Sequence, residues 1–338
     1  MTKPGRIWNY FFKDKISGFG FLVVLFISLF GIFAPIISPH NPYTQILDFR
    51  NKPPGFTGEV ILYRLEPDLP VYTTAVKLVT VHKNTVKYLD TIDRTFEIDK
   101  KMLNGNDRTE WNKKIRFYLG SDNFGRDILS RLLYGIRISL LVGFCASTIS
   151  LIVGVFLGAL AGYYGGLIET CIMRVTDIMF GFPLLLFLIG ITAAFEPSLT
   201  VVFFAIGFVS WPGMARITRG QVKQIQENEF VKVTEVLGFG KSRMLWKHIV
   251  PNSLTPIVVM YTLSISGAIM AEASLSFLGL GAQPPVPSLG AMINSGIDFI
   301  KISPWISIAP GFVIASIVIG FNMLGDDLKS TADPLMKK

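Results

Sequence analysis

Runs of about twenty residues without a single Asp, Glu, Lys or Arg recur along this chain, and no other feature constrains its fold as much. A helix rises about 1.5 Å per residue, so ~20 apolar residues cross the ~30 Å hydrocarbon core of a bilayer. The first run extends from Ile16 to Pro39, between Lys15 and His40. It is too long for the apolar part of a signal peptide. It ends in Ala-Pro-Ile-Ile-Ser-Pro rather than a small-residue cleavage site, so it reads as an uncleaved anchor. The second runs from Ile138 to Ile168, the third from Ile178 to Phe195 and the fourth from Pro197 to Ala215. The fifth covers Ile249 to about Ala271 and the sixth Ile302 to Gly325. Pro251, Pro256, Pro304 and Pro310 mark or bend helix starts, which membrane helices tolerate. Composition agrees: 50% of residues are hydrophobic and 17% charged, against roughly 25% charged in soluble domains. This argues against a cytosolic globular enzyme, a disordered chain and a nucleic-acid reader. The formal charge of +8 then reads as Lys and Arg held at a membrane surface.

Orientation follows from where those cations lie. With the N-terminus inside, Lys3, Arg6, Lys13 and Lys15 open the chain on the cytoplasmic side. Arg174 lies in the second inner loop, and Arg216, Arg219, Lys223, Lys232, Lys241, Arg243 and Lys247 crowd the third. Lys329, Lys337 and Lys338 close the tail, whereas the short outer loops hold only Lys301. The long outer segment is also basic, but long loops cross largely regardless of charge. Both termini are therefore expected in the cytoplasm, as segments 1–15 and 326–338. The outer segment, 40–137, contains a stretch from about 56 to 115 rich in β-branched and aromatic residues, broken by Pro and Asn-Gly-Asn. A small β-rich insertion is expected there, either a spacer or a docking surface for an outside partner. It holds no Cys, so no disulfide staples it.

Residues able to carry chemistry are few. His40, His82 and His248 are scattered, and no His-Glu-x-x-His or Cys-x-x-Cys occurs, so no metal site is expected. Cys145 and Cys171 read as packing residues. Gly238-Phe-Gly-Lys-Ser242 mimics the end of a phosphate loop, but the first Gly that motif needs is Glu235 here, and a polar helical pattern precedes it. ATP binding by this chain is not expected.

The inner loop 216–252 is the most informative. Glu229 to Leu237 places Phe230, Val233, Val236 and Leu237 on one helical face, and Gly238 fits a helix stop. Lys241 to Ile249 resumes a helix and Pro251 opens the next span. A short amphipathic helix held between two spans suits a groove on a partner. This loop resembles the cytoplasmic loop of ABC-importer permeases, Glu-Ala-Ala, three residues, Gly, nine residues, then Ile-x-Leu-Pro. Gly238 and Pro251 stand at the matching separation, with Val250 at the Leu position and His248 at the Ile position. Lys232-Val233-Thr234 replaces the Glu-Ala-Ala triplet. Lys232 and Glu235 also invert the Glu and Arg signs common in peptide-type members. Leu119 to Ser139, Glu272 to Gly281 and Met323 to Pro334 are similar to further stretches of the peptide and nickel permease family, of the second-subunit type. The likeness covers about residues 1–55 and 117–338, so the insertion is the departure.

The resemblance implies an all-α integral membrane protein with six transmembrane helices. Residues 16–39 would be an extra first span and 138–325 a five-helix permease core, with the small β-rich insertion on the periplasmic side. It implies a bacterial cytoplasmic (inner) membrane location and import of dipeptides or oligopeptides, with nickel or another small solute as the alternative. The implied partners are a homologous second permease subunit in a heterodimer, two ABC ATPase subunits, and a periplasmic or lipid-anchored solute-binding protein. No cofactor is implied in this chain; ATP and Mg would sit on the ATPases. Carried over by position, the ATPase-coupling helix comprises Glu229, Phe230, Val231, Lys232, Val233, Thr234, Glu235, Leu237 and Gly238, with His248 and Pro251 at the loop end. The chain is then no enzyme itself.

Three further features belong to the spans. Gly154, Gly158 and Gly162 recur every four residues, a ridge that lets helices approach closely. Glu272 is the ionisable residue nearest the apolar interior, so it must face protein or water. It is expected to pair with Arg126 or Arg137, or else to line the solute path. An ion-driven secondary transporter is the competing class, but it calls for internal repeats and midplane charges that are scarce here. A sensor whose outer insertion binds ligand is a third.

Overall fold

The computed structural model describes residues 15–66, 68–236 and 238–332. In chain order, helix α1 (Lys15–Ile32) precedes six strands: β1 (Phe56–Tyr63), β2 (Tyr72–Val76), β3 (Leu78–Val81), β4 (Thr85–Leu89), β5 (Thr95–Asp99) and β6 (Asn112–Phe117). Then follow α2 (Ile128–Tyr164), α3 (Gly166–Phe180), α4 (Leu184–Ala194), α5 (Leu199–Gln226), α6 (Glu229–Val236), α7 (Leu254–Phe277), α8 (Leu289–Ile297) and α9 (Trp305–Ala332). Of the expected inner termini, 1–15 and 326–338, residues 1–14 and 333–338 lie outside the described residues.

Among the described residues, four helices are long and apolar enough to cross a membrane: α2, α5, α7 and α9. The expected continuous third span, Ile178–Phe195, is corrected. The chain breaks at Gly181-Phe182-Pro183, and α3 and α4 meet there at 88°, so they make a fifth span only as a bent pair. Pro183 has no amide to donate, and Gly181 leaves the end of α3 without a side chain to pack. The 11 residues of α4 extend about 16 Å, half a bilayer. Among the described residues α1 is a shorter apolar helix, about 27 Å over its 18 residues. Arg174, expected in a loop, lies on α3.

The chain forms two compact units. One comprises Met1–Gly31, Ile136–Gln283 and Phe312–Lys338. Its core joins Val142 and Ala146 of α2, Leu188 of α4, Val202, Ala205, Ile206 and Val209 of α5, and Ala268, Ala271 and Leu275 of α7. Gly20 of α1 lies against Met323 of α9, and Gly320 of α9 against Val23 and Val24, so these two helices approach through glycines.

The other unit comprises Ile32–Gly135 and Pro284–Gly311. Its strands form two three-stranded antiparallel sheets, ordered β2-β1-β6 and β3-β4-β5. Alternation along β1 explains the layering. Ile61 and Tyr63 join Val86, Tyr88 and Ile98 of the second sheet around Trp111, while Val60 and Leu62 turn to Ile46, Phe49 and Phe117. Each face of β1 thus has its own apolar cluster, without a disulfide. Before α2 the chain turns on Asp122, whose carboxylate accepts the amides of Phe124 (2.8 Å) and Arg126 (3.0 Å) and the Arg126 Nε (2.6 Å). Gly125 has φ +71°, and a Cβ there would run into the Ile46 carbonyl, so the turn requires glycine. Asp127 then caps α2 by accepting the Ser130 amide at 2.9 Å. The segment after α7 contains α8, which packs on Gly135 through Leu289 and on Ile306 and Ser307 through Gly296.

Candidate coupling helix and membrane-interior site

Helix α5 carries its basic residues in its last turns and leads within three residues into α6. The eight residues of α6 are too few to hold a helix in water by propensity alone. Among the described side chains of α6, Val231 is the anchor. Val231 is 4% exposed and packs with Val222 and Ile225 of α5 and with Met244, Leu245 and Ile249 beyond the loop. Thr234 Oγ1 donates back to the Phe230 carbonyl at 2.8 Å, and Gly238 at φ +78° lets the chain reverse. Lys241–Met244 and a wide turn at Leu245–Ile249 then return the chain toward α7.

Phe230 and Val233, expected with Val236 and Leu237 on an apolar face suited to a partner, are 42% and 58% exposed, while Val231 is buried. Two apolar side chains therefore remain open, ringed by exposed Glu229 and Lys232. Leu237 and the side chains of Glu235 and Val236 lie outside what the structure describes. His248 meets the Phe239 ring edge-on at 5.9 Å, Arg243 lies over the same ring at 5.6 Å, and Pro251 is exposed. Gly238 to Ser242 follows a helix rather than a strand, so the phosphate-loop context is missing.

Glu272, in α7, is fully buried, with 0% of its surface exposed. Ser139 Oγ of α2 donates to its Oε2 at 3.1 Å, and Ser276 Oγ donates to its Oε1 at 2.7 Å. The expected partner Arg126 instead pairs with Asp122 at 2.6 Å, and Arg137 is exposed. Hydroxyl donors offset part of a buried carboxylate's desolvation cost.

The glycine ridge faces α5. A Cβ on Gly154 would lie 2.5 Å from the Met214 Cβ, one on Gly158 2.8 Å from the Thr218 Cβ, and one on Gly162 2.8 Å from the Arg219 carbonyl oxygen. Missed by sequence reasoning was the other flank of α5, where Glu169 and Asp177 of α3 pair with Lys223, Arg219 and Arg216. The signal was present: cations at i, i+3 and i+7, and two carboxylates two turns apart. Among the described residues no group of three or more His, Cys, Asp or Glu could hold a metal ion.

Comparison with known proteins places this arrangement. Residues 154–338 match the family of binding-protein-dependent transport system inner membrane components. Residues 5–54 match the N-terminal TM domain of oligopeptide transport permease C. The chain is 34% identical to the dipeptide transport system permease protein DppC of Haemophilus influenzae, over 100% of this chain and 96% of that one. It is 46% identical to DppC of Alkalihalophilus pseudofirmus, over 65% of this chain and 72% of the relative. Among solved structures, a chain of the MetNI methionine ABC transporter, in an inward-facing conformation, superposes with a TM-score of 0.50 at 14% identity. That match covers 60% of this chain and 97% of the other, and shows the fold alone. Residues 55–153, which include the β-rich insertion, lie outside both family matches. On the family match and the full-length likeness together, this chain is a multi-pass membrane protein belonging to the inner-membrane permease components of binding-protein-dependent ABC importers.

Proposed function

We propose that the chain forms one half of the translocation pathway of a dipeptide or oligopeptide importer and is driven through α6. The carrying observation is the division of labour on that helix: Val231 holds it to α5 and the returning chain, while Phe230 and Val233 stay open beside exposed charges. A helix rooted in the fold and apolar outward transmits force to a groove on a second protein. The peptide class rests on the relatives' names and on the match to the oligopeptide permease N-terminal domain. The partners in this reading are a second, homologous permease subunit, two ATPases that bind ATP and Mg, and an outer solute-binding protein. The basic loop 216–252 and both termini face the cytoplasm, and 40–137 faces outward. ATP-driven closure of the ATPases moves α6, and α5 carries that movement into the core it shares with α2, α4 and α7.

Reconstitution tests this. The complete complex in proteoliposomes, with its binding protein outside and ATP inside, should take up labelled dipeptides or oligopeptides and hydrolyse ATP faster when they are present. Peptide-independent ATPase activity with uptake of a nickel complex instead would overturn the solute class. Uptake by this chain alone, without ATPases, would overturn the mechanism.

A further inference from the structure

Two breaks in regular helix bonding face each other inside the helical unit. Pro212 lacks the amide that would continue the hydrogen bonding of α5, and the 88° break between α3 and α4 lies opposite it. Between them is a mostly apolar cavity of about 180 Å³ lined by Met179, Phe180, Leu184, Val209, Pro212 and Gly213. A void at two opposed breaks gives both helices room to flex without overlap.

On the α6 side of these breaks the helices are tied by charge. Arg216 donates to Asp177 Oδ1 at 2.7 Å, and its guanidinium stacks over the Phe180 ring at 4.5 Å. Further along, Glu169 Oε1 accepts both the Arg219 Nε and the Lys223 Nζ at 2.5 Å. Arg216, Arg219 and Lys223 stand at i, i+3 and i+7, so they share a face, and Glu169 and Asp177 lie two turns apart on α3. The same stretch of α5 is in close contact with Gly158 and Gly162 of α2. On the far side of the breaks, α4 joins the apolar core through Leu188.

We propose that Glu169 and Asp177 are positioning residues that yoke α3 to the basic half of α5, so that a displacement of α6 turns both as one body about Pro212 and the α3–α4 break and reaches α4 through α3. This rests on the reading of α6 as the driven element. Partly exposed ion pairs hold weakly, so what the yoke supplies is geometry: five side chains fix the register of two helices that no covalent link stiffens.

The test uses the complete complex in proteoliposomes. Asp177→Arg and Arg216→Asp should each lower peptide import per ATP hydrolysed about fivefold or more while the ATPases stay bound. The double variant, which restores the pair in reverse, should recover to within about twofold. Unchanged import per ATP in the single variants, or a double variant no better than either, overturns the yoke. Spectroscopy reads it independently of transport. With Cys145→Ser, nitroxides on Cys171 and on Gln224→Cys should keep one distance, within about 2 Å, with and without ATP. Glu169→Gln with Asp177→Asn should broaden it. A distance that changes with ATP in the otherwise unvaried complex, or one unaffected by neutralising both carboxylates, also overturns the yoke. If instead the unvaried complex hydrolyses ATP but imports no peptide, the solute assignment fails while the distances still decide the yoke.

Discussion

Phe230 and Val231 are neighbours on one short helix, and their truncation should have opposite consequences. Phe230 is 42% exposed. A Phe side chain presents about 200 Å², so about 80 Å² is left for a partner to cover. At about 25 cal/mol per Å² that coverage is worth ~2 kcal/mol. Phe230→Ala retains the Cβ, so ATPase association should weaken by about 1.5 kcal/mol, roughly tenfold in Kd. Thermal stability of the solubilised chain should hardly move, because the lost atoms support no core. Val231 is 4% exposed and surrounded by Val222, Met244, Leu245 and Ile249. Val231→Ala removes two buried methyl groups at about 0.8 kcal/mol each and leaves a small cavity, a cost of ~2 kcal/mol in stability. The assay pairs ATPase binding to the nanodisc-embedded chain with thermal unfolding of the same sample. Binding within about twofold of the unvaried chain after Phe230→Ala would refute the reasoning, since the open ring would then face no partner.

Three further perturbations follow from local geometry. Gly158→Val should force α2 from α5, because even a Cβ would sit 2.8 Å from the Thr218 Cβ; unfolding should show about 1–3 kcal/mol lost. Gly125→Ala should destabilise the outer unit by about 1–3 kcal/mol through its positive φ and the Ile46 carbonyl, seen as faster proteolysis within 40–137. In the turn after β4, desolvation pushes the Asp90 carboxyl up, but hydrogen bonds from the Arg94 amide and side chain and from the Ile92 amide outweigh it and hold the group below the usual carboxylate range. A lowered folded value makes that stabilisation complete above about pH 4 and lost as pH falls through the folded value. Asp90→Asn should flatten the acid limb of the outer unit's stability, followed by near-ultraviolet circular dichroism.

Much of this protein follows from one-dimensional spacing. Charge-free runs located the apolar helices, since bilayer thickness fixes a length that a sequence can display. β-Branched and aromatic residues, broken by Pro and Asn-Gly-Asn, marked the insertion between 56 and 115, and the strands run from Phe56 to Phe117. The Gly238–Pro251 separation suggested the loop's likeness, because the distance between a helix stop and a helix start can be read from sequence.

What spacing could not determine was which neighbour each side chain meets. Charge-free composition is blind to a bend, so the third run read as one span although Gly181-Phe182-Pro183 turns the chain by 88°. Periodicity put Phe230 and Val233 on an apolar stripe, but only the return of Met244 to Ile249 against α5 made Val231 the buried anchor and left those two open. Glu272 was legible as an expensive charge. Its serine donors, 133 residues away in one case and four in the other, depended on how α2 and α7 dock. Periodicity and hydropathy are properties of a segment and its solvent, so the sequence carries them alone. Partner choice in a packed interior depends on where distant segments come together, and only the folded chain decides that.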